Sequence, residues 1–308
     1  MSNTNSLFGG TNMMGVCYSP YHQKATKAKS SYTEADIKAD LKIVKKHFGF
    51  IRTYTVQHAQ SNLPQLCKEE GIGLALGCWI FTGTDHKANT EAEIDTALAQ
   101  ASAYPDQVKI IVIGNEVDLA TNGYTASQVT DAFNYAVTQK ATYTNLADVP
   151  LTICMTGKGP TDTTWSPLLD LMQAYAFLTI YPWYGQTPAN VNPKEISGNM
   201  EWSYNNGMVQ CINKNLQVVI AEIGWPSAGN DDMDTNWASE VENYTATCSW
   251  INGTNAQSTA YITMWFEMFD EPWKTAEGPQ GPNWGLYTSG TAPTMKTNKA
   301  GTKFTPCS

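Results

Sequence analysis

Two short runs of β-branched residues, each leading into a glutamate, constrain this chain more than any other feature. Gln217–Ser227 reads QVVIAEIGWPS and Lys109–Val117 reads KIIVIGNEV. Val218, Val219 and Ile220 in the first run, and Ile110 to Ile113 in the second, have the character of strands buried on both faces. Gly224 and Pro226 break the first strand, and Gly114, Asn115 and Glu116 follow the second. Burying a carboxylate at such a place costs on the order of several kcal/mol unless it is paired or hydrogen-bonded. Folding alone therefore gives little reason for Glu222 or Glu116.

The rest of the chain alternates strand and helix patterns. Strands are expected at Met14–Tyr18, Phe50–Thr55, Gly71–Ile80, Lys109–Val117, Val149–Gly157, Phe177–Trp183, Gln217–Trp225 and Thr259–Glu267. Helices are expected at Thr33–Phe48, with Ile37, Leu41, Val44 and Phe48 on one face, and at Gln57–Glu70, with Pro64 in its path. Others run from Thr90 to about Ala103, from Thr125 to about Tyr143, over Trp165–Ala174, in parts of Lys194–Lys214, and over Thr235–Ile251. Thr33 with Asp36, Thr90 with Glu93 and Thr125 with Gln128 have capping-box spacing. Ser19–Ser30 reads as a polar loop with His22 and three lysines, and Met268–Leu286 as a long loop before a final weak helix and tail. Eight such units in 308 residues predict a single α/β domain over residues 1–308, a (β/α)8 TIM barrel. An open doubly wound sheet would bring a glycine-rich phosphate loop after the first strand, where this chain reads YSPYH.

Composition narrows the function. A net charge of −9 argues against a nucleic-acid partner and against an anionic substrate or membrane; a neutral substrate fits better. Ten tryptophans and fifteen tyrosines supply core and, for some, a surface on which a ligand can stack. No apolar stretch is long enough for a membrane span. The start, MSNTNSLFGG, lacks the charged and apolar regions of a signal peptide, so either the protein is cytosolic or a signal peptide has been removed. Seven cysteines without CxxC or metal spacing leave at least one free thiol in a monomer. Sequons at Asn243 and Asn252 favour secretion.

In a barrel, the ends of the strands face the active site. Glu116 and Glu222, 106 residues apart, would then face each other there. Two such carboxylates can divide the acid and nucleophile roles of glycoside hydrolysis, one with a raised pKa and the other ionised. Other chemistries fit less well. His22, His47, His58 and His86 lack HExxH or paired-ligand spacing and read as surface or loop residues, so no catalytic metal is expected. Asp232, Asp234 and Asn236 start like a calcium loop, but Trp237 and Asn243 stand where glycine and glutamate are required. Ser227 lacks the GxSxG spacing of a nucleophile elbow.

With GVCYSPY, IRTY, IGNEV, IYPWY, IAEIGWPS, FEMFDEPWK and NWGLY in this order, the chain resembles glycoside hydrolase family 17 over roughly Met14 to Leu286. That family comprises β-1,3-glucanases and glucanosyltransferases of fungi and plants, and the likeness is greatest to fungal members acting on cell-wall β-1,3-glucan. The resemblance implies a retaining mechanism without metal or organic cofactor. By position, it implies that Glu116 is the acid/base and Glu222 the nucleophile, with carboxyls about 5–5.5 Å apart. It also implies that Asn115 contacts the sugar 2-hydroxyl, that Tyr181 lies by the nucleophile, and that Tyr18, Arg52 and Tyr54 form the pocket floor. Arg52 reads equally as a buried ion-pair partner. Glu267, Glu271 and Lys274 match the acidic and basic set after the eighth strand, where Glu271 and Lys274 read at least as well as a structural network. Tyr181, Trp183, Trp273 and Trp284 are candidates for stacking on glucosyl rings, and Trp225 of the IAEIGWPS motif joins the expected substrate-binding set.

The chain departs from the family pattern at three places. Ile223 follows the nucleophile where many members have threonine, and Thr179 stands near an asparagine of plant members. The 40 residues between Tyr181 and Glu222 are too few for the extra subdomain of plant endoglucanases. These features lead to the expectation of a secreted or wall-associated monomer that cleaves β-1,3-glucan and transfers the product to another chain. The alternatives are an endo-β-1,3-glucanase that only hydrolyses and, in another class, a catalytically silent glucan-binding protein.

Overall fold

The apolar runs form strands because their residues are β-branched or small and are covered on both faces. In the computed structural model, which describes residues 7–9, 12–23 and 31–307, these strands are β1 (Met14–Cys17), β2 (Phe50–Arg52), β3 (Gly73–Cys78), β4 (Val108–Ile113), β5 (Leu151–Thr156), β6 (Tyr175–Thr179), β7 (Gln217–Ile223) and β8 (Thr263–Trp265). Each pairs in parallel with its sequence neighbour, and β8 closes onto β1 through Met14 opposite Thr263. The result is a closed eight-stranded barrel flanked by helices, the TIM-barrel architecture expected from the sequence.

The intervening helices are α1 (Glu34–Val44), α2 (Leu63–Glu70), α3 (His86–Ala103), α4 (Ala126–Lys140), α5 (Ser197–Ser203), α6 (Val209–Asn213) and α7 (Trp237–Ile251). Thr33 and Thr125 cap α1 and α4 with reciprocal capping boxes, as their spacing predicts. Pro64 does not break a helix. It occupies the first turn of α2, where its missing N–H would have no partner, and a 3₁₀ turn precedes it over His58–Asn62. A π-helical turn, Tyr204–Met208, joins α5 to α6.

Several expected features differ. Helix α3 begins at His86, so Thr90 and Glu93 lie inside it rather than capping it. Thr90 Oγ1 accepts the Phe81 N–H, and Glu93 accepts from Thr55 Oγ1 and from the N–H groups of Val56 and Trp79. This pair ties down the loops after β2 and β3. Trp165–Ala174 forms only a 3₁₀ turn at Ser166–Asp170, because Gln173 exchanges hydrogen bonds with Leu151 through its N–H and its side-chain oxygen. His22 is buried, not a surface residue, with Nε2 2.9 Å from Asp40 Oδ2. Asn243 is buried as well and donates its amide to the Pro193 carbonyl, which closes that sequon to a glycan; Asn252 is exposed. The lysines of the polar loop, Lys24, Lys27 and Lys29, and the first six residues of the chain lie outside the described residues.

No α-helix follows β8 among the described residues; the only helical piece there is the 3₁₀ turn Lys274–Glu277. The tail occupies the corresponding gap between α7 and α1. Phe304 is buried, stacked on Phe48 and edge-on to Tyr244, while Trp237 Nε1 donates to the Thr302 carbonyl. A disulfide, Cys248–Cys307, fastens the tail to α7, and the other five cysteines are free and buried. It closes a loop over a sequence separation of 59, for which chain entropy suggests roughly 4 kcal/mol of stabilisation. Replacing both Cys248 and Cys307 by serine should lower the unfolding free energy by roughly 2–4 kcal/mol in a urea titration. An unchanged midpoint would mean that packing around Phe304 suffices to hold the tail.

Candidate active site

The strand C-termini open onto a cavity of about 1320 Å³ that is lined by both glutamates. Glu222 lies in β7 and is only 4% exposed. Three donors converge on its carboxylate. Arg52 Nη1 reaches Oε1 at 2.7 Å, the Tyr54 hydroxyl reaches Oε1 at 2.9 Å, and the Tyr181 hydroxyl reaches Oε2 at 2.6 Å. Burial pushes both phenols well above their ordinary pKa, so both keep their protons and remain donors.

Glu116 sits three residues beyond the end of β4 in a different environment. The chain turns out of the strand through Gly114 at φ 77° and reaches Glu116 at φ 44°, the left-handed region that side chains other than glycine rarely adopt. Asn122 Nδ2 steadies this turn by donating to the Glu116 carbonyl at 3.0 Å. Among the described residues, the Glu116 carboxyl receives one hydrogen bond, from Thr179 Oγ1 to Oε1 at 2.7 Å. Burial first, and then the charge of Glu222, push its pKa up to about 7. The two carboxyls therefore meet different surroundings. One is buried and clamped by a cation and two hydroxyls, and the other is half-buried on the cavity wall with a single hydroxyl beside it.

The remaining candidates separate into cavity walls and supports. Asn115 lines the cavity while its Oδ1 accepts from Arg52 Nη2 at 2.5 Å. Arg52 itself is 1% exposed and does not line the cavity, so it is a buried ion-pair partner. Tyr18 is also off the cavity: it is buried and donates to Asp40 Oδ2 at 2.8 Å. Glu271 and Lys274 line the wall after β8 and Glu267 lies behind them; Lys274 Nζ is 2.9 Å from Glu267 Oε1 and 2.6 Å from Glu271 Oε2. Burial and the neighbouring Glu271 push Glu267 up, whereas Lys274 overcomes the same burial at Glu271 and holds it below the ordinary range.

Tyr181, Trp273 and Trp284 line the cavity, whereas Trp183 and Trp225 do not. Both of these are buried and spend their indole N–H on the loop after β7, Trp183 on the Met233 carbonyl and Trp225 on the Asp234 carbonyl. Sequence reasoning missed Tyr184, which is 59% exposed on the cavity wall and packs against Trp284, and Trp202, which is 45% exposed near Lys158. Tyr184 lies in the IYPWY motif, so its signal was present; Trp202 had none. Thr179, also on the cavity wall, reads in the sequence only as a departure from plant members. Among the described residues, no three His, Cys, Asp or Glu side chains gather to hold a metal.

Residues 15–285 match the family described as the BtgE/BtgC glycoside hydrolase domain. The chain belongs to this family. It is 24% identical over 306 residues to the glucan endo-1,3-beta-glucosidase btgC of Emericella nidulans, covering 90% of this chain and 44% of that protein. The chain thus spans less than half the length of the curated relatives it matches. Among solved structures, an endo-laminarinase from Formosa superposes with a TM-score of 0.71 at 22% identity, covering 94% of this chain and 86% of that one. An active-site mutant of the Rhizomucor miehei β-1,3-glucanosyltransferase, in complex with laminaritriose, superposes with a TM-score of 0.70 at 17% identity, covering 96% and 98%. The resemblance to glycoside hydrolase family 17 in the sequence is borne out, and this chain shares its fold with both solved structures.

The electrostatic link between the glutamates can be measured directly. The Glu222→Gln variant removes the larger of the two charges that, together with burial, raise Glu116, the smaller being that of Asp118, so the Glu116 titration should move down from about 7. Because burial is the larger cause, the shift should stop short of an ordinary carboxyl. Carbon-13 NMR of the side-chain carboxyl follows it. A midpoint that stays fixed would show that Glu222 exerts no field at Glu116.

Proposed function

We propose that this domain, a single catalytic unit, cleaves β-1,3-glucan with retention of configuration and transfers the cleaved piece to a second glucan chain. The observation that carries this reading is the pairing, in one cavity, of a clamped Glu222 with a Glu116 whose pKa is pushed up to about 7. At pH 7 such a group is about half protonated and can serve as acid and then as base.

In this reading Glu222 attacks the anomeric carbon, and the glycosidic bond breaks as Glu116 protonates the departing oxygen. A glucosyl ester forms on Glu222. An acceptor hydroxyl then attacks the same carbon, loses its proton to Glu116, and releases Glu222 as a carboxylate. Arg52, Tyr54 and Tyr181 hold that carboxylate on line for attack, and Arg52 fixes Asn115 so that its amide N–H faces the sugar 2-hydroxyl. Trp273, Tyr181 and Tyr184 offer ring surfaces to glucosyl units, Trp284 is almost fully buried and backs Tyr181 and Tyr184, and Glu271 and Lys274 offer polar contacts on the wall after β8.

The names of the relatives support the substrate: the Emericella nidulans protein is a glucan endo-1,3-beta-glucosidase, and the Rhizomucor miehei structure holds laminaritriose. That first name also favours a second reading, endo-hydrolysis without transfer. Transfer needs an acceptor sugar held beside the ester, because oriented groups reach effective molarities of about 10⁵ M and so outcompete water at about 55 M. The aromatic wall and the short segment between Tyr181 and Glu222 support transfer. A location outside the cell or in its wall is supported by the disulfide and by the exposed Asn252 sequon. No described helix is long and apolar enough to cross a membrane. Both glutamates come from one chain, which supports action as a monomer.

Incubation with a single purified β-1,3-oligosaccharide at millimolar concentration separates the readings. Early products longer than the starting sugar are expected. Only shorter products would leave a plain glucanase, and no products at all a glucan-binding protein. Glu222→Ala should abolish turnover, with partial rescue by azide that fills the vacated space and gives a glycosyl azide of inverted configuration; full activity in that variant would remove Glu222 from the mechanism.

A further inference from the structure

Thr179 ends β6 between the two glutamates. The register of β6 on β7 shifts at this point: Leu178 pairs with Ile220, but Thr179 pairs with Glu222, so Ala221 is skipped. Irregularities of this kind re-aim a side chain beside an active site. Here the Ile180 N–H donates to the Glu222 carbonyl at 2.9 Å, the Thr179 carbonyl accepts the Gly157 N–H at 3.0 Å, and the Thr179 hydroxyl is directed at Glu116 Oε1 at 2.7 Å. Thr179 is 4% exposed and lines the cavity. Glu116 depends on such a contact, because its backbone lies in the left-handed region and its carboxyl has no other hydrogen-bond donor among the described residues.

We propose that Thr179 is a positioning residue that holds the Glu116 carboxyl through both of its protonation states and sets the balance between them. This rests on the assignment of Glu116 as the acid/base. A hydroxyl is donor and acceptor at once. When Glu116 is a carboxylate, Thr179 donates to it. When Glu116 is a carboxylic acid, the same oxygen can accept, or the hydroxyl can rotate away while the acid proton points to the substrate. As that proton passes to the departing glycosidic oxygen, the electron pair of the O–H bond stays on Glu116, and the Thr179 hydroxyl donates to the new anion. As the acceptor sugar is deprotonated, the exchange runs backwards. Donation to the anion favours the charged form and opposes the burial and the Glu222 charge that raise Glu116. The bond thereby keeps the midpoint near neutrality rather than higher.

Thr179→Val removes the hydroxyl at nearly constant shape, Thr179→Ser keeps it, and Thr179→Ala serves if the valine variant does not fold. Two readouts are taken: the Glu116 midpoint by carbon-13 NMR, and the pH profile of kcat/KM on an unactivated β-1,3-oligosaccharide. In Thr179→Val the midpoint and the alkaline limb should both move up by roughly half a unit to one unit, the worth of one ordinary hydrogen bond. Thr179→Ser should stay at the wild-type position. A midpoint unmoved in both hydroxyl-free variants, with rate lowered equally at every pH, would overturn the proposal and leave Thr179 as packing. A moved midpoint in an enzyme whose wild type does not turn over the oligosaccharide would instead overturn the glycosidase assignment, while the control of the Glu116 proton by Thr179 would stand.

Discussion

The guanidinium of Arg52 is the tie on which the site depends. It comes from β2, is almost fully buried, and bonds to Glu222 Oε1 and the Ala221 carbonyl on β7 and to Asn115 Oδ1 after β4. Removing one partner from such a pair costs about 3–5 kcal/mol, because the other charge is left buried without compensation. The pair therefore does more than orient a carboxylate. It spans the barrel interior and couples the position of Glu222 to that of the Asn115–Glu116 turn. A hydrophobic core could have been more stable; the ion pair instead holds a carboxylate facing a cavity.

Around this tie the fold supplies two environments to one pair of like residues. Glu222 lies within a strand, where its backbone is fixed by sheet pairing, and three donors converge on it. Glu116 is carried on a left-handed turn and set against Thr179. Gly224 allows the next segment to pass close by the Phe266 carbonyl, at which a Cβ would lie only 2.2 Å away. The buried Glu267–Lys274–Glu271 group then braces the loop after β8 that brings Trp273 and Trp284 to the cavity. Different surroundings for two carboxylates are what separates an acid from a nucleophile.

The barrel was legible in the sequence because β-branched runs and capping boxes report local preference and burial together. So were the two glutamates, since a buried carboxylate at a strand end has no folding rationale. What the sequence hid were choices made by distant neighbours. Trp183, Trp225 and Tyr18 follow strand ends as cavity residues do, yet each finds a buried acceptor elsewhere. Thr90 and Glu93 have capping spacing, but loops from β2 and β3 claim their oxygens. The tail replaces a final helix because Phe304 and the disulfide to α7 fill the gap. Trp202 and the register shift at Thr179 carry no local pattern at all.

The central claim is that Glu222 forms a covalent bond to sugar while Glu116 manages the proton. Trapping tests it most directly. A 2-deoxy-2-fluoro β-1,3-glucoside with an activated leaving group slows both steps but still permits attack, so an ester should accumulate. Intact-protein mass spectrometry should show one added fluoroglycosyl unit, and peptide mapping should place it on Glu222. An adduct on any other residue would contradict the account. So would rapid turnover in which the first-formed product has the inverted anomeric configuration.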